Sequence, residues 1–300
     1  MKRLSALLAA LVLLFSAGVA AAEEEDDVLY YNLPIDFSPG NPINSKYFLS
    51  DTVYEDPTIR VEITSGDYNG VLYWIADVEI MDPSQLRTAA AESFASKRAT
   101  ELGSVMAQRM NAVLAVDGDY FNYSHNKDVR VTIRQGITYK NSLLPGPCQD
   151  VLLIDEDGDF HGIEDPRNGD IGTEINGKKI INAFYFGPLL VNNGEKRVKD
   201  PSHMDPMQLS QRVAICQTGH LKYRVIVTSS SRYGSKAFRF DPWRDFVASM
   251  DDVQVAYNLD GGDSAFLYFN DKKINNPEFE NERKISDIIY FASAWDGVSE

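Results

Sequence analysis

The sequence predicts an α+β fold, a single domain with a large mixed β-sheet core and two or three packed helices. Three observations predict it. Runs of strand length, rich in β-branched and aromatic residues, recur along the chain. Two of them, 112–116 and 253–259, are continuously apolar, as in strands buried on both faces. Few stretches show helical spacing, and neither a repeat period nor a linker follows Tyr47, so one domain is the economical assignment.

Residues 1–22 read as an export signal. Lys2 and Arg3 precede an apolar run from Leu4 to about Val19, and Ala20, Ala21 and Ala22 offer the small residues of a cleavage site. The run is short for a membrane span, so no stable membrane anchor is expected; the rival reading is an uncleaved anchor helix. The expected location is therefore secreted, outside the cytoplasm. Residues 23–46 form an acidic leader that begins with the charge run Glu-Glu-Glu-Asp-Asp, a solvated segment. The domain itself is expected over 47–295. Strands read at 58–64 and 71–80. A helix follows over 96–110, where Leu102, Val105, Met106 and Met110 recur at three- and four-residue spacing. After the buried strand 112–116, further strands read at 130–134, 151–154, 179–184, 212–217 and 223–227. A second helix, 242–250, leads into the buried strand 253–259, and strands at 265–269 and 287–292 complete the chain.

Composition narrows the function classes. An apolar share of 44% in 300 residues excludes disorder, and 20 Gly with 2 Cys excludes collagen-like and disulfide-scaffold chains. The 29 basic against 44 acidic residues give a net charge of −15, which disfavours a nucleic-acid partner. Loss of a signal carrying Lys2 and Arg3 takes −15 to −17. Export would let Cys148 and Cys216 pair; two separate buried thiols is the other reading.

Chemistry is expected where the two buried runs stop. The first ends at Asp117-Gly118-Asp119 and the second at Asp260-Gly261-Gly262-Asp263. Open sheets bind ligands beyond the ends of their strands, which makes Asp117, Asp119 and Asp260 candidates, although Asp-Gly is also ordinary turn chemistry. Consecutive glycines permit a nest of backbone amides for an anion. Other patterns carry less. The acidic run 155–159 has calcium-loop spacing but lacks the bidentate Glu at the twelfth position, and a hairpin turn explains it. Ser264 is not followed by the glycine of a nucleophile elbow. His125, His161, His203 and His220 are scattered without metal-ligand spacing.

The chain resembles the phosphodiester glycosidase family, as a divergent member of the exported bacterial type. The resemblance covers roughly 53–292. It rests on 115–121 (AVDGDYF), 132–136 (TIRQG), 186–191 (FGPLLV), 211–215 (QRVAI), 257–264 (YNLDGGDS), 274–277 (INNP) and 283–287 (RKISD). It implies a hydrolase that cleaves a sugar from a sugar-1-phosphodiester in envelope or extracellular polysaccharide. Asp260 would be nucleophile or base at the anomeric carbon and Asp119 the second carboxylate, their separation deciding between retention and inversion. The leaving phosphate monoester, with a second pKa near 6, needs little acid assistance. Arg212 would grip the phosphate with the Gly261 and Gly262 amides, and Asp117, Tyr120, Arg134, Asn258 and Ser264 would complete the substrate site; Arg283 is a further cationic candidate. No cofactor is implied. The family more often carries Asn at 117, Thr at 213, Gly at 216 and Gly at 263. Those differences leave two alternatives: a catalytically silent member that binds glycans or a surface partner, and a divalent cation gathered by Asp117, Asp119, Asp260 and Asp263.

Overall fold

The structure, a computed structural model, describes residues 31–95, 99–119, 130–143, 149–167, 169–201, 204–279 and 281–297. The expected export signal and charge run, and Tyr120, Phe121, His125, Cys148 and His203, lie outside the described residues.

Among the described residues the fold is predominantly β, with 44% strand, 11% helix and two α-helices, rather than a balanced α+β arrangement. Nine strands form the largest sheet, in the order Phe48–Ser50, Val53–Asp56, Ile59–Tyr68, Val71–Ile80, Lys222–Thr228, Val213–Gly219, Val255–Leu259, Leu189–Asn192 and Glu195–Lys196. A second sheet runs Lys272–Lys273, Leu267–Phe269, Ala112–Asp117, Asp287–Ala292 and Leu86–Ala90. A third runs Phe160–Ile163, Val151–Asp155, Lys178–Phe184, Val131–Arg134 and Ile137–Asn141, with Glu174–Ile175 added beside Lys178–Phe184. Glu101–Leu102 pairs separately with Lys284–Ile285.

Every described pairing is antiparallel, so the expected mixed sheet is corrected. The continuous apolar runs reflect burial on both faces, and here that burial comes from layering rather than from parallel crossovers. Val255, Tyr257 and Leu259 point into a core that the three larger sheets share, where they join Leu114, Val116, Leu152, Ile154, Phe184, Ile289 and Phe291. Ala256 points the other way, toward Trp243, Phe246 and Val247 of the helix Phe240–Ala248. On the second sheet Ala112 and Ala115 face Met106 and Ala107 of the helix Gly103–Arg109 and Met110 just past its end. Small residues on the helix-covered faces let the helices approach closely, while larger ones fill the shared core.

The helix expected over 96–110 is shorter than its periodicity suggests. It begins at Gly103, where Glu282 caps it from a distant segment: the Ser104 N–H donates to Oε1 at 2.8 Å and the Ser104 hydroxyl to Oε2 at 2.7 Å. The acidic run 155–159 is the hairpin turn joining Val151–Asp155 to Phe160–Ile163.

The compact unit runs from Tyr31, so residues 31–46 of the expected leader pack within it. Leu33 is buried, and the fully buried Arg87 holds this segment down. Its guanidinium donates to the carbonyls of Pro34 at 2.8 Å, Asp36 at 3.0 Å and Ser38 at 3.0 Å. It also bonds the Tyr290 hydroxyl at 3.1 Å. Arg87→Ala is expected to destabilise the protein by about 3 kcal/mol, because several carbonyls lose a charged donor at once. Urea unfolding measures the loss, and limited proteolysis should show new cleavage near 33–41. Among the described residues no helix is long and apolar enough to cross a membrane.

Candidate active site

The strand Ala112–Asp117 lies between Leu267–Phe269 and Asp287–Ala292, which fixes where its carboxylates emerge. Asp117 is buried; its Oδ1 accepts the Phe266 N–H at 3.1 Å, while Oδ2 has no hydrogen-bond partner among the described residues. Burial and the nearby Asp260 carboxylate hold Asp117 well above the usual carboxylate range. Asp260, half-buried just past Leu259, accepts the Gly261 N–H at 2.9 Å. Burial raises it to about 6, with Ser264, the Gly261 amide and the Arg283 charge pulling downward and Asp119 pushing upward. The two runs therefore do bring their carboxylates into one electrostatic cluster.

Asp119 differs from this pair in having its oxygens occupied. The Tyr185 N–H donates to both at 3.1 Å, and Arg134 Nη2 donates to Oδ2 at 3.0 Å. Burial raises Asp119 against the pull of Arg134. Arg134 also reaches Asp287 at 3.3 Å, donates to the carbonyls of Ile133 and Ala183, and stacks 4.0 Å from the Phe184 ring. It is a buried tie between two carboxylates, with its hydrogens directed inward. Asp287 was not singled out by sequence reasoning. Its signal was a lone carboxylate opening an apolar strand, and its tight fit is visible at Gly118, where any Cβ would lie 2.6 Å from Asp287 Oδ2.

Arg212 stands apart from the cluster. Its Nη2 donates to the Gln208 carbonyl at 2.7 Å, its Nη1 contacts Met204 Sδ at 3.2 Å, and its guanidinium lies 5.5 Å from the Phe240 ring. Among the described residues it has no carboxylate partner, and burial alone lowers it to about 10. The reason is parity. Residues 212, 214 and 216 alternate with the core-facing Val213 and Ile215, and Ala214 and Cys216 pack on the helix side. Asn258 shares that side: Oδ1 accepts from Trp243 Nε1 at 3.0 Å and Nδ2 donates to the Gly187 carbonyl at 3.0 Å, so it anchors the helix to the sheet.

The expected amide cradle is also filled from within. The Gly262 N–H donates to the Gln211 carbonyl at 3.0 Å, and the Gly261 amide is taken by Asp260. Glycine at 261 serves close approach, since a Cβ there would lie 2.6 Å from the Gln211 carbonyl. Ser264 is buried and accepts from Arg283 Nη1 at 3.3 Å, which places Arg283 as the cation facing Asp260. Asp263 points outward to Arg232 at 2.7 Å. Among the described residues no group of three or more His, Cys, Asp or Glu is placed to hold a metal ion. His161 and His220 bond Asp155 and Asp159, away from the cluster, and Cys216 is a free buried thiol.

The unpartnered Asp117 Oδ2 gives a direct test. A carboxyl raised by folding binds its proton more tightly folded than unfolded. Its contribution is complete below the unfolded value of 3.8 and is lost as pH rises through the folded value. Asp117→Asn is expected to match wild type near pH 4 and to exceed it by about 1–3 kcal/mol at pH 8. Chemical denaturation at the two pH values measures this.

The antiparallel β scaffold thus gathers Asp260, Asp117, whose carboxyl burial and the Asp260 charge hold well above the usual range, and Arg283 into one electrostatic cluster. The chain belongs to the phosphodiester glycosidase family, whose sequence model matches residues 110–292. No curated protein matches the chain significantly. Among solved structures, the catalytic domain of zebrafish N-acetylglucosamine-1-phosphodiester α-N-acetylglucosaminidase, auto-inhibited by its pro-peptide, aligns at a TM-score of 0.62 with 17% identity, covering 90% of this chain and 99% of that one. A hypothetical protein from Synechocystis aligns at 0.52 with 14% identity, covering 81% and 64%. Both show the same fold.

Proposed function

We propose that the protein is an exported hydrolase that splits the sugar–phosphate bond of a sugar-1-phosphodiester in envelope or extracellular polysaccharide. The observation that carries this reading is Asp260: a half-buried carboxylate raised to about 6, beside the buried Asp117 and facing Arg283, in a chain of this family. At neutral pH Asp260 is mostly ionised and takes a proton from water as the water oxygen bonds to the anomeric carbon. The bond from that carbon to the phosphate oxygen breaks with its electron pair on oxygen, releasing a phosphate monoester. Arg283 offers positive charge to the departing phosphate. Burial and the Asp260 charge hold the Asp117 carboxyl well above the usual range, which favours its protonated form beside an ionised Asp260.

A second reading, a catalytically silent glycan binder, draws on one observation: Arg212 and the Gly261 and Gly262 amides are engaged inside the fold. One assay separates the two. The protein is incubated with a panel of sugar-1-phosphodiesters, nucleotide sugars included, and free sugar is measured beside Asp260→Asn, with and without added calcium or magnesium. Release by the wild type alone supports the hydrolase; no release above the variant leaves the binder.

A further inference from the structure

We infer that a cavity beside the Asp260 loop is a binding site for a neutral sugar unit of the polymer that carries the scissile phosphodiester. The inference rests on the glycosidase reading for its placement, and on the cavity's own chemistry for its ligand. The cavity holds about 380 Å³, within the range of small-molecule sites. Leu72, Trp74, Tyr233 and Phe279 wall it, together with Asn276 and Glu278. Phe279 is 37% exposed and Leu72 38%, and Trp74 is half-buried, so the apolar surface stands open to solvent.

The walls select for a pyranose. A sugar ring has an apolar C–H face and a rim of hydroxyls; aromatic faces attract the polarised C–H groups, while carboxylate and amide groups accept or donate to the rim. Among the described residues no Lys or Arg lines the cavity, and Glu278 adds negative charge to a chain already at −15, which disfavours an anionic occupant and hence the phosphate itself.

The walls are also preset. Tyr233 and Phe279 meet edge-on at 4.9 Å, and the Phe279 N–H closes a turn onto the Asn276 carbonyl at 3.0 Å. Asn276 is buried, accepts from the Ser229 hydroxyl, and donates to Gln211 Oε1 at 2.8 Å. Gln211 in turn holds Gly262 through both its carbonyl and its side-chain amide. Arg232, next to Tyr233, pairs with Asp263 in the same turn. The cavity wall and the Asp260 loop are thus linked through Asn276 and Gln211, so a sugar seated here rests on residues that also hold Gly262.

Calorimetry on the full chain bearing Asp260→Asn tests this with maltohexaose, cellohexaose, chitohexaose and mannohexaose, because binding is then read without turnover. At least one is expected to bind saturably. Phe279→Ala, a change at an exposed turn, is expected to weaken it by about 3–10-fold. Trp74→Phe is expected to remove the accompanying fluorescence change. No saturable binding by any of the four, or binding that both substitutions leave unchanged, overturns the inference; so does saturable binding of decanoate in their place, which marks an acyl site. Oligosaccharide binding that depends on Phe279, with no sugar release by the wild type, keeps this site and discards the hydrolase. Sugar release without such binding does the reverse.

Discussion

Asp260→Asn is expected to lower kcat/KM for sugar-1-phosphodiester hydrolysis by about 10²–10⁴-fold while leaving the fold intact. Asn keeps the oxygen that accepts the Gly261 N–H at 2.9 Å, so the loop retains its shape and only the base is lost. The wild-type pH profile should carry the same signature. Burial raises Asp260 to about 6, and the carboxylate is the working form. The rate constant should therefore climb about tenfold per pH unit below that value and level off above it. Arg283 pulls Asp260 downward, so Arg283→Gln should move the rising limb to higher pH, in addition to weakening phosphate binding. A limb that stays in place would show that Arg283 does not face the ionising group.

Arg134→Ala should give the largest loss of stability, about 3–5 kcal/mol, because it leaves Asp119 and Asp287 as buried carboxylates without their shared cation. A domain is stable by only about 5–15 kcal/mol, so expression at 37 °C should suffer. Arg134→Lys is not expected to rescue it, since one ammonium cannot serve two carboxylates and two carbonyls in the guanidinium's geometry. Adding Asp119→Asn and Asp287→Asn to Arg134→Ala should recover much of the loss, because the penalty lies in the unpaired charges. The denaturation midpoint is the readout, at unchanged slope. Failure of the added Asn substitutions to recover any stability would mean that packing on Phe184, not charge, is what Arg134 supplies.

Much of the fold was legible where the pattern was local. The strand at 71–80 and the strand at 287–292 read at their observed limits, and the helix expected at 242–250 lies over Phe240–Ala248. Short strands without β-branched alternation were missed. Leu86–Ala90 is one, with Arg87 and two alanines, and only pairing with Asp287–Ala292 makes it a strand. The candidate site divides in the same way. Asp117, Asp119 and Asp260 were legible because Asp-Gly after a fully apolar run marks a strand ending at the surface of a core. Arg212 and Asn258 could have been assigned to the helix side from sequence, since they share parity with Ala214 and Cys216, and with Ala256, respectively.

By itself, the sequence determined the strand-ending carboxylates, the family and the acidic character of the chain, since each is written in adjacent residues. Only the tertiary structure decided what each group is left able to do. Asp119 is tied by Arg134 across 15 positions, and Asp117 takes the Phe266 N–H across 149. Arg134 bridges to Asp287 across 153. A carboxylate's reactivity depends on which donors reach it and how much water remains, and those neighbours arrive from strands that only folding brings together. The same packing removed Arg212 from the cluster and set Arg283 in its place.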